Sequence, residues 1–438
     1  MTQAANVPAP ALKPQQRSIR SVFLTLELDT RLVGMLIALA VMWLGFNFMS
    51  GGLFLSSRNL WNLSVQTSAV AVMATGMVLV IVSRNIDLSV GAILGLTGYV
   101  MAMTQAIWIP TTLHMGLGLP YTWIITLAVG LALGALIGGL QGFIVAYVGV
   151  PSFIVTLGGM LVWRGLIIEI QQGQTISPMD KTFSMLGGGL PNGAIGFWPS
   201  WIIAIVGCAA FAYSAVSSRR RRRAYGFPVR PVWATGAIMA GACIGILAAV
   251  WIANNYFWPS GLAHQYAVAH NIVEPADGLQ IPTGIAIPVV VTLGVALVMA
   301  FIATRRKFGR YIFAIGGNPE AAELAGINTR RTVLGSFVIM GMLCAVSGAI
   351  QIARLDSGVT SLGQGDELAV IAAAVIGGTS LSGGIGTVPG AVLGALVMQS
   401  LRSGMIMLKV DSPIQDVVVG AVLVMAVAMD AIIRRRAK

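Results

Sequence analysis

Long apolar runs, separated by short polar stretches that carry most of the charge, set the pattern of this chain. A bilayer core about 30 Å thick takes about 20 apolar residues per helix. By that measure twelve segments qualify: approximately Leu32 to Met49, Ser64 to Val82, Leu88 to Ile109, Tyr121 to Val148, Ser152 to Ile170, Phe197 to Val216, Val232 to Ala253, Ile285 to Thr304, Val333 to Ile352, Leu368 to Leu381, Val388 to Gly404 and Ile414 to Ile433. The expected fold is an all-α polytopic membrane protein of about 12 transmembrane segments. The polar stretch before the first run holds Pro8, Pro10, Pro14, Lys13, Arg17 and Arg20. The run itself is longer than the roughly 7–15 residues of a signal peptide's apolar region and lacks a small-residue cleavage site, so it reads as an uncleaved first span.

Composition agrees. Of 438 residues, 56% are hydrophobic and 10% charged, against about 25% charged in ordinary soluble domains. Lipid must be the solvent. A net charge of +12 would suit a nucleic-acid partner only with a basic, aromatic-studded face; here the bases lie in blocks between spans, and no nucleic acid is expected. With a cytoplasmic amino terminus and alternating spans, all but six of the 27 bases fall on inner segments, the exceptions being Arg58, Arg164, Lys181, Arg354, Arg402 and Lys409. The opposite orientation would put most bases outside, so both termini are expected on the cytoplasmic side of the membrane. The run Arg219 to Arg223 reads as a topology anchor, with anionic lipid headgroups as its alternative role. Cys208, Cys243 and Cys344 have no metal-ligand spacing and read as small packing residues.

Two short patterns recur. Asp87-Leu88-Ser89-Val90 opens the third span and Glu367-Leu368-Ala369-Val370 the tenth; Leu133-Gly134-Ala135-Leu136-Ile137 in the fourth is matched by Leu393-Gly394-Ala395-Leu396-Val397 in the eleventh. The third span starts inside and the tenth outside, as an inverted repeat requires, and such repeats place transport paths at their interface. Glycines within spans, among them Gly134, Gly138, Gly139 and Gly142, let helices approach closely. The stretch Gly377 to Gly384 is too polar for a plain span; it is read as a turn at the cytoplasmic mouth, with a re-entrant element lining the path as the alternative.

The connection from Arg305 to Arg331 holds a helix start at Asn318-Pro319-Glu320, combining a capping residue, proline at the first position and an acid in the first turn. Ala321, Ala322, Glu323, Leu324 and Ala325 continue it and Gly326 stops it. Two turns are marginal in water, so a partner is expected to hold them. No phosphate loop occurs, and His114, His264 and His270 build no zinc-protease motif. No metal or cofactor is expected on this chain, and energy for uphill transport must come from elsewhere. Asp87, Arg164 and Glu169 are the ionisable groups nearest the spans; Asp87 reads as a helix N-cap, and the five-residue gap between Arg164 and Glu169 sends each to other partners.

The segment Gly309-Arg310-Tyr311-Ile312-Phe313-Ala314-Ile315-Gly316-Gly317-Asn318, followed by Ala321-Ala322 and Gly326-Ile327, resembles the cytoplasmic coupling loop of sugar-import permeases of ATP-binding-cassette transporters, the ribose and xylose group. Asp87 to Gly91 and Val375 to Leu381 with Gly383, Gly384, Gly386 and Thr387 match as well. Val150 to Leu157, Arg164-Gly165 and Gly173 to Pro178 resemble the xylose permeases in particular.

The resemblance implies a permease like those of type II importers, working as two copies, fed by a periplasmic sugar-binding protein and driven by a cytoplasmic ATPase subunit that uses ATP and Mg. It makes Gly309, Arg310, Gly316, Gly317, Asn318, Pro319, Glu320, Ala321, Ala322 and Gly326 the expected ATPase-coupling residues. The expected organisation is a cytoplasmic tail (1–31), a first transmembrane repeat (32–172), extracytoplasmic loops with an inserted arginine-bearing hairpin (173–284), a second repeat (285–433) containing the coupling loop (305–331), and a basic tail (434–438). A neutral sugar needs hydroxyl and amide groups along its path, and Asp87, Thr156, Gln174, Thr379, Ser382 and Gln399 are the candidates. The alternatives are an ion-gradient-driven secondary transporter, which this chain's few buried acids disfavour, and an intramembrane enzyme, for which no nucleophile and base converge.

Overall fold

Helices account for nearly all the regular structure in the computed structural model, which describes residues 30–437 except 113 and 115–118. The N-terminal tail, apart from its last two residues, lies outside them. Among the described residues, ten helices are long and apolar enough to cross a membrane. In chain order the helices are α1 (Thr30–Met49), α2 (Ser57–Val82), α3 (Val90–Thr112), α4 (Thr122–Val148), α5 (Ser152–Gln171), α6 (Phe197–Ala224), α7 (Val232–Asn254), the short α8 (Ser260–Ala269), α9 (Ile287–Arg305), α10 (Lys307–Gly317), α11 (Pro319–Leu324), α12 (Thr329–Leu355), α13 (Asp366–Ile376), α14 (Val388–Met407) and α15 (Ser412–Ala437). π turns at Thr104–Trp108 and Ile144–Val148 interrupt the ends of α3 and α4.

One of the twelve expected spans differs. α13 has 11 residues, about 16 Å at 1.5 Å per residue, half a bilayer core. Its apolar run ends where Gly377 and Gly378 break the helix and the chain turns through Gly378, Gly383 and Gly384, all at positive φ. In α15 the described apolar part is Ser412–Ala428.

Helix sides sort by environment. α2 is buried along nearly its whole length, whereas α1, α5, α6 and α7 are apolar yet mostly exposed, the lipid-facing wall. Lipid is as apolar as leucine, so close packing must hold the centre together. Along α4, Gly130, Gly134, Gly138 and Gly142 form a stripe: a Cβ on Gly130 would strike Met101, on Gly134 the Gly341 carbonyl, on Gly138 the Phe337 carbonyl, and on Gly142 the Phe337 side chain. Gly139 lies off that stripe, where an added Cβ would meet Val338 at an ordinary 3.6 Å.

Packing partners of the two halves correspond. α2 and α12 pack together at the centre; α4 lies on α12 as α14 lies on α2; α3 touches α12, α4 and α5 as α13 touches α2, α14 and α15. Counterparts run in opposite directions: the Ser347 hydroxyl donates to the Ala69 carbonyl (2.8 Å) while Gly76 meets Met340 and Leu343, which makes α2 and α12 antiparallel. The first recurring pattern comes face to face, since a Cβ on Gly91 would strike the Glu367 carboxylate. The second does not: Gly134 faces α12, but Gly394 faces Ala373 on α13.

Arg84, the α6–α7 turn and α10 gather at one end of the bundle, hereafter the basic end. α8 lies towards the other end, where His264 pairs with Glu274 at 3.0 Å, and Cys208 faces Cys243 across the α6–α7 hairpin.

Candidate functional site

At the basic end α9 stops at Arg305, and extended backbone at Arg306 starts α10. The span 305–331, expected as a loop with one short helix, is thus largely helical. α10 is amphipathic, burying Gly309, Ile312, Ile315 and Gly316 on one face while Arg310 and Gly317 stay exposed. Gly309 has no room for a Cβ, which would meet the carbonyls of Ile302 and Ala303, and Gly316 none either, against the Val82 carbonyl and Gly384 N. Arg84, at positive φ, locks this corner: Nε donates to the Gly316 carbonyl and Nη2 to that of Gly317, each at 2.8 Å. Gly384 N donates to the Val82 carbonyl at 3.0 Å. The end of α2, the end of α10 and the Gly377–Gly386 turn are thereby interlocked.

Asn318 then caps α11, its side chain accepting from Ala321 N at 3.1 Å. Pro319 and Glu320 fill the first turn, and Gly326 ends the element at φ +79. Only Ala322 of α11 is buried. Leu324 is 91% exposed at the tip, a large apolar side chain on a helix that could not stand alone.

The six expected path residues do not form one site. Asp87 and Thr156 sit together below α3. The Asp87 carboxylate accepts from Ser89 N (2.9 Å) and Ser89 Oγ (2.6 Å); it closes a local turn and does not cap α3, whose N-cap is Ser89. Thr156 Oγ1 accepts from Leu88 N at 3.1 Å, and Ser152 Oγ from Ile86 N at 3.2 Å, so both hydroxyls satisfy non-helical backbone running beside α5. Thr379 is buried and Ser382 exposed in the interlocked turn, and Gln174 is exposed near the other end.

Gln399 alone lines a polar recess. A cavity of about 230 Å³ opens between α2, α12, α13 and α14, with Gln66, Gln351, Gln364, Asp366 and Arg402 in its wall. Gln399 Nε2 donates to Gln66 Oε1 at 2.9 Å. Asp366 is held from two sides, by Gln351 Nε2 at 2.7 Å and Arg402 Nη1 at 3.1 Å, while Arg402 Nη2 donates to the Gly365 carbonyl at 3.2 Å. Glu367, next in sequence, points the other way, against Gly91. Arg164 supplies its opposing charge and donates to the Leu362 carbonyl at 2.7 Å. Glu169 is exposed. Asp366 at the head of α13 is thus held by an arginine of α14, while Arg164 of α5 bonds the loop just before that helix and lies near enough to Glu367 to act on its charge. Amide groups ring the cavity, Asp366 balances Arg402 and Arg354 adds a further positive charge; the amides can accept and donate hydrogen bonds to a neutral polyol.

Sequence reasoning missed Arg84, Leu324 and most of the cavity. Arg84 had a signal, an arginine just after a span; Gln66 and Gln351 had the same one as Gln399, an amide within an apolar run.

No metal-holding group of His, Cys, Asp or Glu exists among the described residues. No solved structure matches the chain significantly. It is 41% identical over 410 residues to the xylose transport system permease protein XylH of Escherichia coli (strain K12), covering 94% of each chain. It is 38% identical to XylH of Haemophilus influenzae (90% of this chain, 95% of the relative) and 31% identical to the ribose import permease protein RbsC of Escherichia coli (strain K12) (86% and 87%). Residues 59–427 match the model of one family, and the chain belongs to it: the permease component of branched-chain amino acid transport systems.

Proposed function

We propose that this chain is the membrane-spanning permease subunit of an ATP-binding-cassette sugar importer, with D-xylose as its cargo. The observation that carries the coupling role is α11. A capped two-turn helix with an exposed leucine is held rigidly to the bundle through Gly316 and Arg84. Such an element transmits a push only if something sits on it, and a separate ATPase subunit is the partner of the right kind. Gly309, Arg310, Gly317, Pro319, Glu320, Ala321, Ala322 and Gly326 shape or border that surface. Xylose rests on the similarity to XylH over nearly the whole chain.

In this reading the chain lies in the bacterial inner membrane with the basic end and both termini in the cytoplasm. Two copies form the path, a periplasmic binding protein delivers sugar to the opposite end, and ATP and Mg act on the ATPase. The repeats occupy 32–172 and 285–433, with extracytoplasmic loops and the inserted arginine-bearing hairpin (173–284) between them. The test is xylose uptake by proteoliposomes holding permease, ATPase and binding protein, compared between wild type and Asn318→Pro. Wild type should take up xylose in preference to ribose, and the variant should insert but lose both ATPase co-purification and uptake. Uptake driven by an ion gradient without the ATPase, or full uptake by Asn318→Pro, would overturn the proposal.

A further inference from the structure

Among the described residues, α7 is the one helix that packs extensively along α6. Towards the end opposite the basic one, α6 also closes on α9: Ile285 N donates to Ser200 Oγ at 2.9 Å, and Trp201, Ile203 and Ala204 share an apolar cluster with Val289 and Val290. At the basic end the two helices part. A cavity of about 400 Å³ lies between them, lined by Tyr213, Ser217, Arg221 and Arg222 of α6 and by Arg305, the last residue of α9. Tyr213, Ser217 and Arg221 are four residues apart and share one helix face. A second recess of about 670 Å³ adjoins the same Arg305 and carries Arg306, Lys307 and Arg310. No acid lines either space.

Several guanidinium groups converging beside a serine hydroxyl suit a phosphate, whose oxygens accept paired, charge-assisted hydrogen bonds. The surroundings say which phosphate. Farther from the basic end, Phe211 on α6 and Leu297, Val298 and Phe301 on α9 are exposed, in the zone where hydrocarbon chains lie. Tyr213, 78% exposed, stands at the headgroup level, where tyrosine is favoured. A ligand here must be anionic at one end and apolar at the other. We propose that the crevice between α6 and α9 is a binding site for one anionic phospholipid, its phosphodiester held by Arg221, Arg222 and Arg305 and its chains laid along the apolar helix faces. Bound there, the lipid offsets the mutual repulsion of the bases where α9 passes into α10, and ties the inserted hairpin to the start of the coupling segment.

Native mass spectrometry of the full-length permease, purified in mild detergent and exposed to phosphatidylglycerol or phosphatidylcholine, tests this. Wild type should retain one phosphatidylglycerol per chain under conditions that strip phosphatidylcholine. Arg221→Gln/Arg305→Gln should bind it about tenfold or more weakly, as removing two arginines from a lipid phosphate predicts, while the charge-matched Arg330→Gln/Arg331→Gln should keep it. If the first pair does not purify as a monodisperse species, Ser217→Trp, which fills the cavity with charge intact, should exclude the lipid in its place. Equal retention of both lipids, undiminished retention in the cavity variants, or equal loss in the charge-matched control would overturn the site. Displacement by glycerol phosphate or inorganic phosphate at the same concentration would make it a free-anion site. Loss of a bound ATPase from the glutamine pair in lipid-free detergent would make it a protein contact.

Discussion

Single atoms decide much of this fold, because helix contact in lipid depends on how closely backbones approach. Gly134 and Gly139 lie one and a half turns apart on α4 with opposite surroundings, one against the Gly341 carbonyl and one in ordinary contact with Val338. Gly134→Ala should therefore destabilise the bundle by about 1–3 kcal/mol, the usual range for overpacking. Gly139→Ala should be neutral or slightly stabilising through its helix propensity. Thermal melting of the two variants in one detergent checks the contrast, and equal melting temperatures would contradict it. Glycine spacing was visible in the sequence, but which glycines met backbone was not. Five glycines lie on α4, and only the fold separates the three stacked on α12 from Gly130, against Met101, and Gly139, beside them.

At the scale of elements, α11 is the clearest case of local chemistry specifying structure. Asn318, Pro319, Glu320 and Gly326 each fill the position their residue type favours. Asn318→Ala should cost about 1 kcal/mol through loss of the cap, which is a large share of what holds a six-residue helix. Leu324→Asp should leave melting unchanged, since the side chain touches little of its own chain, yet abolish capture of the ATPase in a pull-down; retained capture would place the partner elsewhere. α10 was less legible, because its apolar positions are interleaved with glycines and follow a basic run, so it reads as a connection. α13 was misjudged in length for a different reason. The apolar run Leu368 to Ile376 is followed at once by the polar, glycine-rich stretch that reads as a turn, and counting Gly377 to Leu381 into the span as well makes it longer than the helix.

The whole molecule adds what no segment contains. Gln66, Gln351 and Gln399 come from three helices, and their hydrogen bonds arise only when α2 packs on α14 and α12 on α13. Gln399 was legible as an amide within an apolar run, but the cavity around it was not. The half-buried Asp366–Arg402 pair ties α13 to α14. Arg402→Met should destabilise the protein by up to about 3–5 kcal/mol, because the carboxylate is left without its counter-charge. The double variant Asp366→Asn/Arg402→Met should recover most of that loss. Denaturation curves of the three variants check this, and additive losses would show that the pair does not couple. Orientation is tested with impermeant thiol reagents on whole cells and inverted vesicles, on a background with native cysteines replaced by serine. A cysteine at Gln364 should react from outside and one at Ser382 from inside.

α13 carries a consequence that its length makes concrete. Its amino end forms part of the wall of the polar recess and its carboxyl end runs into the interlocked glycine turn. Where that helix stands, the septum between the two polar ends is about 16 Å thick, against about 30 Å for the surrounding bilayer. A thin septum shortens the stroke: a displacement of a few ångströms at α10 is a large fraction of the distance to be breached. It also sharpens the danger of leakage, since few layers of side chain separate the compartments. Arg402, bonded to Asp366 from α14, acts as the bolt of α13, and a permease with that bolt drawn should let water and small ions slip through between strokes.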